Sequence, residues 1–238
     1  MSEKMTKKVK ALLTKAEAST FEAESDAFYA KAAELMAEYA IDEAALAALD
    51  STKKVKEIES RAYVVAAPYS VDRMYLIHYV AHAMGGYAYM VTQKRDGYKT
   101  ATRSKDHNTY AFILGASADI DRIEQMLESL NRQMDRSRES ALNGMYFKGM
   151  GEKKVWNATF IRGYAIRIGQ RIRVSYQTKI EEQTGGVALV LRDKQALIEE
   201  EKRRKGIRAV NTSRQHHQAG WESGQSAADR ATIRQELT

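Results

Sequence analysis

Apolar side chains recur at helical spacing from the start of the chain. Val9, Leu12, Leu13 and Ala16 follow an i, i+3, i+4, i+7 pattern, and a second stripe runs through Phe28, Ala32, Leu35, Met36 and Tyr39. Between the stripes, Ser19-Thr20-Phe21-Glu22 has the spacing of a capping box, in which a hydroxyl and a carboxylate satisfy orphan amides at a helix start. Neither helix can bury its face alone, so the pattern predicts a helical hairpin module over residues 1–50, with a further short helix in Asp42–Leu49. Residues 51–60, rich in Ser, Thr and Lys, predict a linker, and residues 61–238 a second unit.

Beyond the linker the period changes. Arg61–Ala66 has strand propensity and ends near Pro68. Ser70 is placed to cap a helix with Asp72 in its first turn and Met74, Ile77, His78 and Ala81 on one face, stopping at Gly85-Gly86. Tyr87–Thr92 and Tyr110–Leu114 read as strands, with a turn at Arg95-Asp96-Gly97 and a polar extension over Tyr98–Thr109. Ser117, Asp119 and Asp121 open a helix carrying Ile120, Ile123, Leu127, Leu130 and Met134 at helical spacing.

After a loop around Gly144–Gly151, Trp156, Phe160, Tyr164, Ile168 and Ile172 recur every four residues on another long helix. Gly163 and Gly169 inside it each cost roughly 1 kcal/mol relative to Ala, which points to close packing of another element. Val187–Leu191 reads as a short buried strand, Asp193 as the start of a helix ending at Gly206, and Gln215–Ala231 as a last helix. The expected class is α+β: an N-terminal helical hairpin followed by a mixed domain of long helices and a small, largely antiparallel sheet.

Composition narrows the chemistry. With no cysteine in 238 residues there is no disulfide, thiol nucleophile or thiolate metal site. The uncharged stretch Met74–Gln93 contains two histidines, a Gly-Gly pair and four tyrosines, too polar for a membrane span. Three lysines in the first eight residues are not followed by an apolar stretch, so no secretory leader is expected and the expected location is the cytoplasm. The net charge of +7 is uneven: −4 over residues 1–50, +4 over 51–150 and +7 over 151–238. A basic C-terminal third suits a nucleic-acid-facing surface, and equally a set of solvated helix faces.

The candidate phosphate-binding residues are Arg162, Arg167, Arg171 and Arg173 on or near the aromatic-striped helix, and Lys202, Arg203, Arg204, Lys205, Arg208 and Arg214 around the following loop. Glu199–Glu201 directly precede the second cluster, and i, i+4 pairing with it would instead make a self-neutralised face. Trp156, Phe160 and Tyr164 fit a core better than a base-stacking platform. His78 and His82, four apart on one helix face, have the spacing of two metal ligands. Tyr79 stands where H-E-x-x-H carries its glutamate, and a third ligand would have to come from Asp106, His107 or His216-His217. Asp119 with Asp121, or Glu181 with Glu182, could hold Mg²⁺, although carboxylates near helix ends also serve capping. No nucleophile elbow, phosphate-cradling glycine loop or dinucleotide fingerprint is present, so no organic cofactor is expected.

The opening Lys8-Val9-Lys10-Ala11-Leu12-Leu13-Thr14-Lys15-Ala16-Glu17, followed by Glu22-Ala23-Glu24 and Lys31-Ala32-Ala33-Glu34-Leu35-Met36-Ala37, resembles the domain of unknown function 2786 family of bacterial and phage proteins. The likeness covers about residues 5–45. Gly115–Ile120, Phe160–Gly169 and Gly220–Ala228 are similar to the region that follows this module in relatives. The resemblance implies a bacterial or phage protein in the cytoplasm, the host's if phage-encoded, and carries no catalytic residues across. Three functions fit: a non-enzymatic accessory protein binding nucleic acid through its basic C-terminal surface, a factor binding a host or partner protein through the N-terminal helices, or a metal-dependent hydrolase using His78 and His82.

Overall fold

Strands form where alternation and aromatic or β-branched content coincide. The structure is a computed structural model that describes residues 3–19, 57–91, 109–181, 187–208, 214–231 and 233, with scattered positions between 24 and 47. β1 (Glu59–Val65), β2 (Tyr87–Val91) and β3 (Thr109–Gly115) form an antiparallel sheet in the order β1-β3-β2. Arg61 lies opposite Ile113 and Ile113 opposite Ala88; Ala62 lies opposite Phe112 and Phe112 opposite Tyr89. Alternation therefore puts Ala88, Ala111 and Ile113 on one face and Tyr87, Tyr89, Tyr110 and Phe112 on the other. The first set is buried in the main core; on the aromatic side Leu114 is fully buried and Val64 is 60% exposed.

The named helices are α1 (Glu3–Ala18), α2 (Ser70–Ala83), α3 (Ser117–Leu142), α4 (Met150–Glu181), α5 (Val187–Arg204) and α6 (Gln218–Arg230). This is the α+β arrangement of long helices and a small antiparallel sheet that the pattern predicts. Every described residue within 24–39 is also helical. α2 packs on all three strands and on α4, which explains why its burial extends to Asp72 and Arg73. Val9, Leu13, Ala16, Ala32, Leu35 and Met36 join the same buried cluster as Ile120, Ile123 and Leu127. The expected capping glutamate, Glu22, the linker residues 51–56 and the turn at 95–97 lie outside the described residues.

Three local expectations are corrected. Val187–Leu191 is not a strand: it is the first part of α5, which starts six residues before Asp193. A short apolar run does not distinguish strand from helix, and here Val190 and Leu191 pack against Ala44 and Ala47 on a continuous helix. Ser70 is the first helical residue rather than the cap. Tyr69 occupies the cap position in the left-handed region at φ 68°, and the Ser70 hydroxyl donates to the Ala66 carbonyl at 3.2 Å. The last helix begins at Gln218, where His217 Nδ1 accepts from the Gly220 amide at 3.3 Å. α5 ends as expected: Gly206 takes φ 64° and the Ile207 amide reaches back to the Lys202 carbonyl at 3.0 Å.

Trp156, Phe160, Tyr164 and Ile168 have no exposed surface, so the four-residue stripe is core. It meets α6 at backbone contact. A Cβ on Gly163 would lie 2.6 Å from the Trp221 carbonyl oxygen, one on Gly220 2.7 Å from that of Trp156, and one on Gly224 would collide with that of Phe160. On the other side of α4, a Cβ on Gly169 would lie 2.7 Å from Cβ of Tyr79 in α2. The two glycines inside this helix are thus contact points with its two neighbours. Because the obstacle at Gly224 is backbone and cannot rotate away, Gly224→Ala is expected to destabilise by about 2–3 kcal/mol, read as a lowered melting temperature by calorimetry.

Candidate functional site

The ten candidate cations do not share one surface. Arg162 is buried in α4: its guanidinium lies 3.3 Å from Asp72 Oδ1 and donates to the Gln215 carbonyl at 2.6 Å and to Thr159 Oγ1 at 3.1 Å. Arg214 approaches the same carboxylate at 3.8 Å. Burial pushes the Asp72 carboxyl up, and the charges of Arg162 and Arg214 oppose that rise. Arg171 donates to the carbonyls of Ala228 and Ala231, the latter at 2.6 Å, a cation on the buried carbonyls at the end of α6. Arg167 pairs with Asp229 at 2.5 Å. These four hold α4 to α2, α6 and the segment before α6.

The second cluster lies along the end of α5 and its cap. Lys202 pairs with Glu199 at 2.9 Å, while Arg204 and Lys205 pair with Glu201 at 2.7 and 3.5 Å. Those cations hold the Glu199 and Glu201 carboxyls below the usual carboxylate range. Arg173, Arg203 and Arg208 are exposed and make no ion pair among the described residues.

His78 and His82 do share a face of α2, their rings stacked with centroids 6.2 Å apart. His78 Nδ1 lies 3.0 Å from the Ala88 carbonyl in β2, so it carries the proton and donates. Burial first, then the charges of His78, Arg173 and Lys202, push His82 below its ordinary value. Asp106 and His107 lie outside the described residues, and His217 is engaged at the start of α6 and lies 3.7 Å from Glu152. No group of three or more His, Asp or Glu side chains among the described residues is arranged to hold a metal ion. Asp119 is buried between Arg122 and Lys194, the latter at 3.0 Å, and Asp121 accepts from Arg61 at 2.6 Å. Glu182 lies outside the described residues.

One constellation was not legible as a site in the sequence. The face of the sheet opposite Ala88, Ala111 and Ile113 carries Tyr87 and Tyr89 from β2 and Tyr110 and Phe112 from β3, all half-buried. Tyr89 and Phe112 stack at 5.5 Å between centroids and 22° between planes. Lys202 Nζ sits 4.0 Å from the centroid of Tyr87, which brings the basic end of α5 to the edge of this aromatic face. The signal was present as aromatics at period two in each strand; their pairing across strands was not. The segment joining β2 to β3, residues 92–108, contains Lys94, Arg95, Lys99, Arg103 and Lys105 against Asp96 and Asp106.

Residues 4–43 match the model of a family described as a protein of unknown function (DUF2786). No curated protein and no solved structure matches the chain. No helix among the described residues is long and apolar enough to cross a membrane.

The buried and exposed arginines separate by experiment. Arg162→Ala leaves Asp72 buried with the more distant charges of Arg214 and Lys154, and a loss of about 3 kcal/mol is expected in urea unfolding, whereas Arg203→Ala stays within about 0.5 kcal/mol. His82 gives a pH signature. Its folded-state value lies below 6.5, so the unfolded chain binds the extra proton first. Stability should fall as pH drops from about 6.5 toward the folded value, and His82→Gln should flatten that part of the curve.

Proposed function

We propose that the protein is a non-enzymatic accessory protein that binds single-stranded nucleic acid across the outer face of its sheet and the basic end of α5, in the bacterial cytoplasm. The observation that carries this reading is the contact of Lys202 with Tyr87, which joins a cationic helix end to a face bearing Tyr87, Tyr89, Tyr110 and Phe112. Flat aromatic side chains on an open sheet offer stacking surfaces to unpaired bases of any sequence, and neighbouring cations take the phosphates. Arg203 and Arg208, exposed and without ion pairs among the described residues, are the cations available for phosphate. Lys202, Arg204 and Lys205 would first have to leave Glu199 and Glu201. A duplex keeps its bases stacked internally and gains nothing from the aromatic face, so the reading favours single strands. Arg162, Arg167, Arg171 and Arg214, committed to internal partners, are left out of the contact surface.

Fluorescence anisotropy with labelled single-stranded DNA, RNA and duplex DNA at two salt concentrations tests this. Single strands should bind more tightly than duplex, with a logarithmic salt slope near −2 for about three phosphate contacts. Tyr89→Leu or Phe112→Leu should weaken binding about tenfold, the equivalent of about 1–3 kcal/mol per stacked base. Arg203→Ala should reduce the salt slope by about one contact. Absence of binding at low salt, or binding indifferent to both aromatic substitutions, overturns the reading.

A further inference from the structure

A concavity lies beside α5, lined by Leu191, Lys194 and Gln195 of that helix. It has a volume of about 270 Å³ and is walled by the end of α2, the first turn of α3, the C-terminal part of α4 and the first half of α5. Ala83, Met84, Leu191 and Tyr176 make its surface mostly apolar. The polar groups are placed at separate points: the Arg173 guanidinium, the amides of Gln177 and Gln195, the His82 imidazole, the Tyr176 hydroxyl and the Asp119–Lys194 ion pair. An apolar cleft with a few convergent polar groups is the usual form of a small-molecule site.

The charges inside are not balanced. Asp119 is the carboxylate of the lining, and it already faces two cations, Arg122 and Lys194. Arg173 adds a third, exposed and without an ion pair among the described residues. His82, at the same rim, is pushed below its ordinary value by burial first and then by the charges of His78, Arg173 and Lys202, with Glu199 opposing. A ligand entering here meets net positive charge beside an apolar wall.

Size limits the choice. A volume of about 270 Å³ lies just below the range of about 300–1,000 Å³ in which drug-sized and cofactor ligands are held, and excludes a dinucleotide. We infer that this pocket binds a small heteroaromatic anion of the size of a nucleoside monophosphate, its ring against Met84, Leu191 and Tyr176, its anionic group on Arg173, and its ring edge within reach of Gln177 and Gln195. The Gln177 amide offers donors and an acceptor, and the Gln195 amide, which already donates one N–H to Glu199 at 3.3 Å, keeps a second N–H and its oxygen, which suits the edge of a base better than a plain hydrocarbon ring. This pocket is separate from the aromatic sheet face, and its ligand does not depend on strand binding there.

Isothermal titration with adenosine, uridine, guanosine and cytidine monophosphates, each beside its uncharged nucleoside and beside inorganic phosphate, tests the inference on the full chain. At least one monophosphate should bind, with its nucleoside and inorganic phosphate each at least tenfold weaker. Arg173→Ala, at an exposed position, should weaken that ligand at least tenfold, and Gln177→Trp, which fills the mouth from an exposed position of α4, should abolish binding with the melting temperature kept. Failure of all four monophosphates to bind overturns the inference, as does affinity unchanged in both variants. Binding of inorganic phosphate as tight as that of the monophosphates also overturns it, by showing that the apolar wall takes no part. Anisotropy of labelled single strands with Arg173→Ala separates this result from the sheet reading, because that variant leaves Tyr89, Phe112 and Arg203 in place.

Discussion

The close approach of α4 and α6 is the constraint on which the rest of the structure depends. Gly220 and Gly224 present no side chain to α4, so the backbones of Trp156 and Phe160 can sit directly against them, while Gly163 admits the Trp221 carbonyl. With α6 that close, the large stripe of Trp156, Phe160, Tyr164 and Ile168 is enclosed completely. α4 then offers its other side, at Gly169, to Tyr79 of α2. α2 is thereby fixed between α4 and the sheet, and the sheet's inner face is closed with Ala88, Ala111 and Ile113 inside.

Buried charge follows from the same layering. Once α2 is covered on both sides, Asp72 is left only 8% exposed and is partnered by Arg162 and Arg214. Arg73, 4% exposed, reaches Asp135 at 2.6 Å and the Pro68 carbonyl at 3.1 Å. Arg122 is enclosed by Asp119 and by the ring of Tyr39 at 5.8 Å. Such pairs add little net stability against an apolar alternative, yet removing one partner is costly, so they hold the helices in register. Much of the basic character that invites a nucleic-acid reading is spent in this way.

What remains for function is the surface that the layering leaves over. α5 touches β3 and brings Lys202 to 4.0 Å from the ring of Tyr87, so its end borders the aromatic face, on which Tyr87, Tyr89, Tyr110 and Phe112 are half-buried. α5 borders both this face and the apolar pocket, with Lys202 toward Tyr87 and with Leu191, Lys194 and Gln195 toward the cavity. His78 lies between them, stacked on His82 and edge-on to Tyr87 at 5.5 Å. The two surfaces are neighbours through side-chain contact while remaining chemically distinct.

Residues 4–43 carry a family motif that is readable from the sequence, and the stripes at Ile120–Met134 and Trp156–Ile172 determined two long helices, because helical period is a local property of the chain. The strands at β1, β2 and β3 were legible from their aromatic and β-branched content, also a local property. The short run at Val187–Leu191 was not, because five apolar residues fit either period and only the packing of Val190 on Ala44 and Ala47 selects the helix. Which arginines are buried was also undecided: Arg162 and Arg203 are the same residue type, and only the neighbours brought in from Asp72, Gln215 and Thr159 distinguish them. The aromatic face arises from the register of β2 on β3, and the pocket from four elements meeting between residues 82 and 195. Both depend on contacts between residues distant along the chain, which local pattern does not encode and tertiary packing alone decides.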